Sequence, residues 1–241
     1  MLKVVLVIDC ERFISFKQGN PRWNKFEKFK GKINNLIKNL RYNEKGFEIV
    51  YKTIVREEFP ATFMLVGKMF KPIKSPSFIE FGSHTLNHLP LTLVDDDLLK
   101  QEIENKYKFS SITPPMWMVE DTQNPLRIFN ELKKQKYTHC VYRGKNTGIK
   151  HFHYNAVKKP FKKQGITCVH VSNFLEGNFS HKKINNLKKD ILKNTDKQGV
   201  YLLTTHDFTH KNNKNLKNII KFLKQLEKNN KIKIMRLKDI K

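Results

Sequence analysis

The run at residues 2–8, Leu-Lys-Val-Val-Leu-Val-Ile, constrains this chain most. A strand with one wet face alternates apolar and polar residues. This run does not alternate, so both of its faces must be covered. Parallel sheets obtain that cover from the helices that connect their strands, so the run predicts an α/β chain. The remaining sequence supplies the parts. Apolar residues recur at helical period over residues 23–40, at Phe26, Phe29, Ile33, Leu36, Ile37 and Leu40. Further helices are expected over residues 47–58, from Asp95 to about residue 108, and over 124–135, 181–195 and 215–227. Strands are expected at 61–66, 78–81, 137–142, 166–171, 200–205 and 232–235. Asp95, Asp96 and Asp97 suit a helix start, where carboxylates cap free amides and face the positive end of the dipole. Pro125 suits a first helical turn. Residues 113–119 form an apolar loop, and 143–159 a long polar one. No linker, repeat or low-complexity segment divides the chain. Six or seven strand–helix units in 241 residues suit one domain, a closed or nearly closed barrel.

The formal net charge of +25 invites a polyanionic partner such as nucleic acid. Two observations argue against it. The lysines are spread through every segment, and lysine far outnumbers arginine, the usual base-reading residue. Ala61 and Ala156 are the only alanines while Lys, Asn and Ile abound, as an AT-rich coding sequence would produce. A solvated basic surface is the expectation, compatible with an acidic substrate. Cys10, Cys140 and Cys168 are odd in number and show no paired spacing, which favours a reducing compartment. The opening apolar run is too short for a signal peptide, and nothing approaches the roughly 20 apolar residues of a membrane span. A soluble, cytoplasmic protein is expected.

In parallel α/β barrels the reacting groups sit at the C-terminal ends of the strands. Asp9, Glu11, His84, His88 and His206 all fall at such ends. His84 and His88 are four residues apart, the spacing that puts two imidazoles on one face of a helical turn. Pro90 keeps any helix there short. A carboxylate and two histidines are a common ligand set for a catalytic divalent cation, whose open position holds a water of lowered pKa. A second carboxylate can take that water's proton, and a further histidine can protonate the departing group. The five residues fill these roles with none left over. The reaction class is metal-assisted hydrolysis of an amide or ester.

These residues carry a resemblance. The first strand ends in Val7-Ile8-Asp9-Cys10-Glu11, a later one reads Ala61-Thr62-Phe63-Met64, and Gly82-Ser83-His84-Thr85-Leu86-Asn87-His88 follows. Then come Pro114-Pro115 and a late strand around Leu203 and His206. In that order, over residues 2–210, the chain resembles the polysaccharide deacetylases of the carbohydrate esterase family 4 type. The resemblance implies a distorted (β/α)7 barrel, a divalent metal with zinc the first choice, and removal of acetyl groups from N-acetylated sugars. It implies Asp9 as general base, His84 and His88 as metal ligands, and His206 as general acid.

Two departures stand out. The family's second Asp, its third ligand, is Cys10 here. Residues two apart on an extended strand point the same way, so Glu11 joins Asp9 and is taken as the ligand, with Cys10 in the wall. A thiolate from Cys10 is the competing choice. The family's Arg before Pro-Pro is also missing, since Ile112-Thr113 stands there, and Glu120 or Asp121 is the candidate to reshape that corner. Trp117 is a candidate to stack on a sugar ring, and Arg143 to bind an anionic group. His139, His151, His153 and His170 are taken as structural, and His210, which follows the strand end by four residues, is left out of the site. The expected partner is a carbohydrate, acidic or lipid- or nucleotide-linked, in the synthesis of a surface glycan. The altered first motif and the missing Arg keep a second reading open, a barrel that binds glycan without turnover. Nucleic-acid binding is the remaining one.

Overall fold

The computed structural model describes residues 1–11, 45–120, 124–142, 144–145 and 157–241. The helix expected over residues 23–40 lies outside them, as do Arg143, Asp121, His151 and His153. Among the described residues the strands are β1 (Leu2–Cys10), β2 (Ala61–Leu65), β3 (Ile79–Ser83), β4 (Ser111–Ile112), β5 (Met118–Glu120), β6 (His139–Tyr142), β7 (Gly144–Lys145), β8 (Phe161–Lys163), β9 (Ile166–Phe174), β10 (Val200–His206) and β11 (Ile232–Met235). The α-helices are α1 (Gly46–Arg56), α2 (Asp96–Glu102), α3 (Arg127–Lys134), α4 (His181–Lys193) and α5 (Lys214–Lys228). The neighbour order β10-β1-β2-β3-β4-β6-β9, with β9 paired back to β10, closes a barrel of seven parallel strands. This is the distorted (β/α)7 barrel expected from the sequence. The closure is uneven. Strand β4 has two residues, and the β9–β10 register shifts between Leu202 and Leu203.

Strand β1 explains the unbroken apolar run. It pairs with β10 along one edge, while the other edge is shared, β11 taking residues 2–5 and β2 taking residues 7–10. Its even positions, Leu2 to Cys10, join the outer core with α1, α4 and α5. Val5 and Val7 face the barrel interior with Met64, Val141, Val169, Val171 and Leu202. Helix α5 buries Leu216, Ile219, Ile220, Leu223 and Leu226 on one stripe, each contributing roughly 1.5–3 kcal/mol. The Asp95 side chain accepts from the Leu98 amide, capping α2 as its sequence suggests.

At the N-terminal end of the strands the barrel is plugged by the tail of the chain. Glu80 is 3% exposed and accepts from Ser111 Oγ (2.5 Å), Thr62 Oγ1 (2.9 Å) and the Lys238 amide (3.0 Å). The Leu237 amide donates to Thr62 Oγ1 (2.9 Å), and His139 Nε2 reaches the Ile240 carbonyl at 2.8 Å. A buried carboxylate is therefore met by three donors and closes the floor.

Several expectations change. Helix α2 ends at Glu102, well before residue 108. Strand β8 pairs antiparallel with β9 as a hairpin that the sequence does not announce. The apolar loop at 113–119 contains a 3-10 turn, Pro115–Trp117, and then β5. No helix of the described residues is long and apolar enough to cross a membrane.

Candidate active site

The inward series of β1 continues upward from Val5 and Val7 to Asp9 and Glu11. Both carboxylates are buried, at 1% and 6% exposure. Cys10 lies on the opposite parity in the outer core, and its Sγ donates to the Ile8 carbonyl at 3.5 Å. Asp9 sits in register with His206 on β10. The inward series of β10 runs through Leu202 to Thr204 and His206, and Thr204 Oγ1 donates to Asp9 Oδ2 at 3.3 Å. No hydrogen-bond partner for Asp9 Oδ1 is present among the described residues.

On β3 the inward positions are Glu80, Gly82 and then His84 beyond the strand end. A Cβ at Gly82 would stand 2.5 Å from Met64 Sδ and 2.8 Å from the Ser111 carbonyl oxygen. Glycine is what lets β2, β3 and β4 close beneath His84.

The helical turn expected for His84 and His88 is not there. Residues 84–90 form an irregular loop in which Thr85 and His88 have φ of 64° and 60°. Non-glycine residues in that region cost of order 1–3 kcal/mol each, a cost that surrounding contacts must offset. The His88 amide donates to Thr85 Oγ1 (3.1 Å) and the Thr85 amide to Ser83 Oγ (3.2 Å). The spacing of four brings the imidazoles together by a different route, with ring centroids 4.7 Å apart.

His84 Nδ1 lies 2.5 Å from the Thr113 carbonyl oxygen and donates to it, which leaves the Nε2 lone pair facing Glu11. Glu11 Oε2 is 2.6 Å from His88 Nε2 and 3.3 Å from His84 Nε2. One ligand atom from each of the three lies within 4.8 Å of the others. Two imidazoles and a carboxylate, one imidazole fixed from behind, fit a divalent cation such as zinc.

His206 Nε2 is 3.8 Å from Glu11 Oε1, while its Nδ1 is 2.7 Å from Glu176 Oε1. Burial pushes the Glu11 carboxyl up, but the imidazoles of His88, His206 and His84 more than reverse this and hold it well below the usual range. Burial would lower His206, yet Glu11, Glu176 and Asp9 raise it to about 10. Asp9 is raised by burial and by the charge of Glu11, against the opposing pull of His84 and His206. Asp207 is raised to about 7 by burial and Glu11, while its Oδ1 accepts from the Glu11 amide at 3.3 Å.

Trp117 is half-buried with φ of 53°, and its ring centroid is 5.1 Å from that of Phe174. Phe174 in turn stacks on His206, with centroids 6.3 Å apart and 13° between the planes, and Phe208 lies 5.4 Å from His206. These rings wall one side of the mouth. Glu120 does not reach the corner left by the missing Arg; it pairs with Lys163. Thr113 occupies that corner and offers its carbonyl to His84. His210 is buried and hydrogen-bonds Thr205 Oγ1 at 2.8 Å. His170 packs against Tyr142 and Phe161.

Glu176 is the residue that sequence reasoning missed. Strand β9 was expected to stop at residue 171, which leaves Glu176 five residues into a loop. The strand runs on to Phe174, so Glu176 stands on the same rim as the other carboxylates. The signal was Phe174, which continues the strand beyond the polar pair Ser172-Asn173.

No protein-family model matches the sequence, and a search of curated proteins finds no significant match. Solved structures do match. A protein described as a polysaccharide deacetylase from Mycobacterium smegmatis is similar over 99% of this chain and 88% of its own, at 14% identity and a TM-score of 0.64. An allantoinase is similar over 99% and 88%, at 10% identity and a TM-score of 0.57. A peptidoglycan N-acetylglucosamine deacetylase is similar over 99% and 87%, at 15% identity and a TM-score of 0.51. The chain thus has the fold that polysaccharide deacetylases share, in a divergent sequence.

Proposed function

We propose that the protein is a metal-dependent hydrolase that removes an N-acetyl or related acyl group from an amino sugar. The observation that carries this is one cluster: Glu11, His84 and His88 around a common point, with Asp9 and His206 beside it. In this reading those three side chains hold a divalent cation, zinc by preference. A bound cation of this kind polarises the acyl carbonyl and lowers the pKa of attacking water.

Asp9 accepts the water's proton at a carboxylate oxygen; its Oδ1 has no other hydrogen-bond partner among the described residues. His206 delivers a proton from Nε2 to the departing amine. Glu176 holds the opposite nitrogen, Nδ1, which keeps the ring in one orientation and favours its protonated form. Trp117 and Phe174 offer an aromatic face to a sugar ring, and Arg143 is proposed to meet an anionic group on the substrate. A glycan precursor made inside the cell, lipid- or nucleotide-linked, is the proposed substrate class. The deacetylases among the structural neighbours support the acyl-sugar chemistry.

A second reading, hydrolysis of a small non-carbohydrate amide, is favoured by the likeness to an allantoinase. Fold alone does not choose between them. The experiment is metal analysis of the purified protein, followed by acetate release from N-acetylated sugar precursors and turnover of cyclic and linear amides. One bound zinc with acetate release supports the main reading. Turnover of the small amides alone supports the second. Bound metal without turnover on either panel would support a glycan-binding barrel that has lost catalysis.

A further inference from the structure

Helix α2 ends on a carboxylate, Glu102, that is 1% exposed. A helix C-terminus is the wrong end of the dipole for an anion, so helix stability does not account for it. Among the described residues no cation pairs with it. Its partners are donors from the loop that carries His88. Oε2 accepts from the Asn87 amide (3.0 Å) and the Leu89 amide (3.3 Å). Oε1 accepts from Asn87 Nδ2 (2.5 Å), and the Glu102 backbone carbonyl accepts from the Leu86 amide (2.8 Å). The amides of Asn87 and Leu89, the residues on either side of His88, are therefore tied to one buried side chain. His88 itself has φ of 60°, a backbone state that does not persist without such ties.

We propose that Glu102 is the positioning residue of the metal centre: it grips the backbone on either side of His88 and so aims His88 Nε2 at Glu11 Oε2, 2.6 Å away. This rests on the metal reading above. The partners of the carboxylate are the loop residues Asn87 and Leu89, not the three candidate ligand side chains. It acts by fixing the loop before a cation arrives, so that binding does not have to order the ligand as well. Asn87 is part of the grip, because its side chain closes the second carboxylate oxygen.

The test is zinc affinity, measured on chelator-stripped protein by competition with a chromophoric chelator, together with the visible spectrum of the cobalt-loaded protein. Thermal unfolding of the stripped protein is recorded alongside. Glu102→Ala is expected to weaken zinc binding roughly 10–100-fold and to shift the cobalt bands. Glu102→Gln is expected to recover most of the affinity, because its oxygen still accepts both amides and Asn87 can turn its own oxygen to the new NH2 group. A merely structural role would lower the unfolding temperature and leave the affinity and spectrum of the folded molecules unchanged. That result overturns the proposal. If Glu102→Ala does not fold, Glu102→Asp keeps the charge but shortens the reach, and undiminished zinc affinity in that variant overturns the proposal equally. Wild-type protein that binds no zinc would instead bring down the metal reading, and this inference with it.

Discussion

At the scale of single residues, the choice between Cys10 and Glu11 turns on strand parity. Asp9 and Glu11 extend the inward series, whereas Cys10 is buried among apolar side chains with its thiol pushed well up by burial and by Asp207. Cys10→Ala is expected to keep one metal per chain and to cost about 1 kcal/mol of stability, the loss of a small buried side chain. Glu11→Gln is expected to drop metal content below stoichiometry and to abolish turnover. Metal analysis of the two proteins side by side decides between a carboxylate and a thiolate ligand. Glu176→Gln tests the other pair. With metal content unchanged, kcat is expected to fall, by less than the roughly 10²–10⁴ that a general acid is worth, since the amide withdraws one of the charges that favour the protonated imidazole while Glu11 and Asp9 remain.

Among the elements, strand β3 and the loop after it are the most constrained. Gly82→Ala would press a methyl against Met64 and the Ser111 carbonyl. Its expected cost is about 1–3 kcal/mol, read as a shifted urea midpoint, because one of the two contacts is backbone and cannot turn aside. Much of this level was legible in the sequence. Strand β11 falls on the expected residues, and the alternation of strands with helices gave the parallel barrel because an apolar run without alternation has only a few ways to be covered. The rim residues followed from the strand ends. Local pattern failed in other places. Spacing of four suggested a helical turn at His84 and His88, but tertiary hydrogen bonds to Glu102 hold a loop there, and such long-range ties leave no periodic trace. Strand β8 carries two lysines in three residues and is held by pairing with β9, so it shows no apolar signal. Glu176 was lost with the end of β9, where polar residues blur a boundary.

For the whole molecule, the floor and the rim answer different needs. Glu80, Thr62 and the tail hold the N-terminal end of the barrel shut, far from the chemistry at the other end of the same strands. Removing residues 237–241 takes away buried Leu237 and Ile240 and one donor to Glu80. A loss of at least about 3 kcal/mol is expected from the two apolar side chains alone, measured by urea denaturation, with zinc affinity of the folded fraction unchanged.

Strand β1 has a consequence in time as well as in space. Its partner β10 is made much later than β1 itself: Asp9 and Thr204 are 195 positions apart. At about 5–20 residues per second, roughly 10–40 s pass between the two. Throughout that interval the nascent chain holds an exposed, sticky apolar segment with no permanent neighbour on that edge. The rim that joins Asp9 to His206 can therefore mature only once β10 has been made, and folding is expected to need protection of β1 until then.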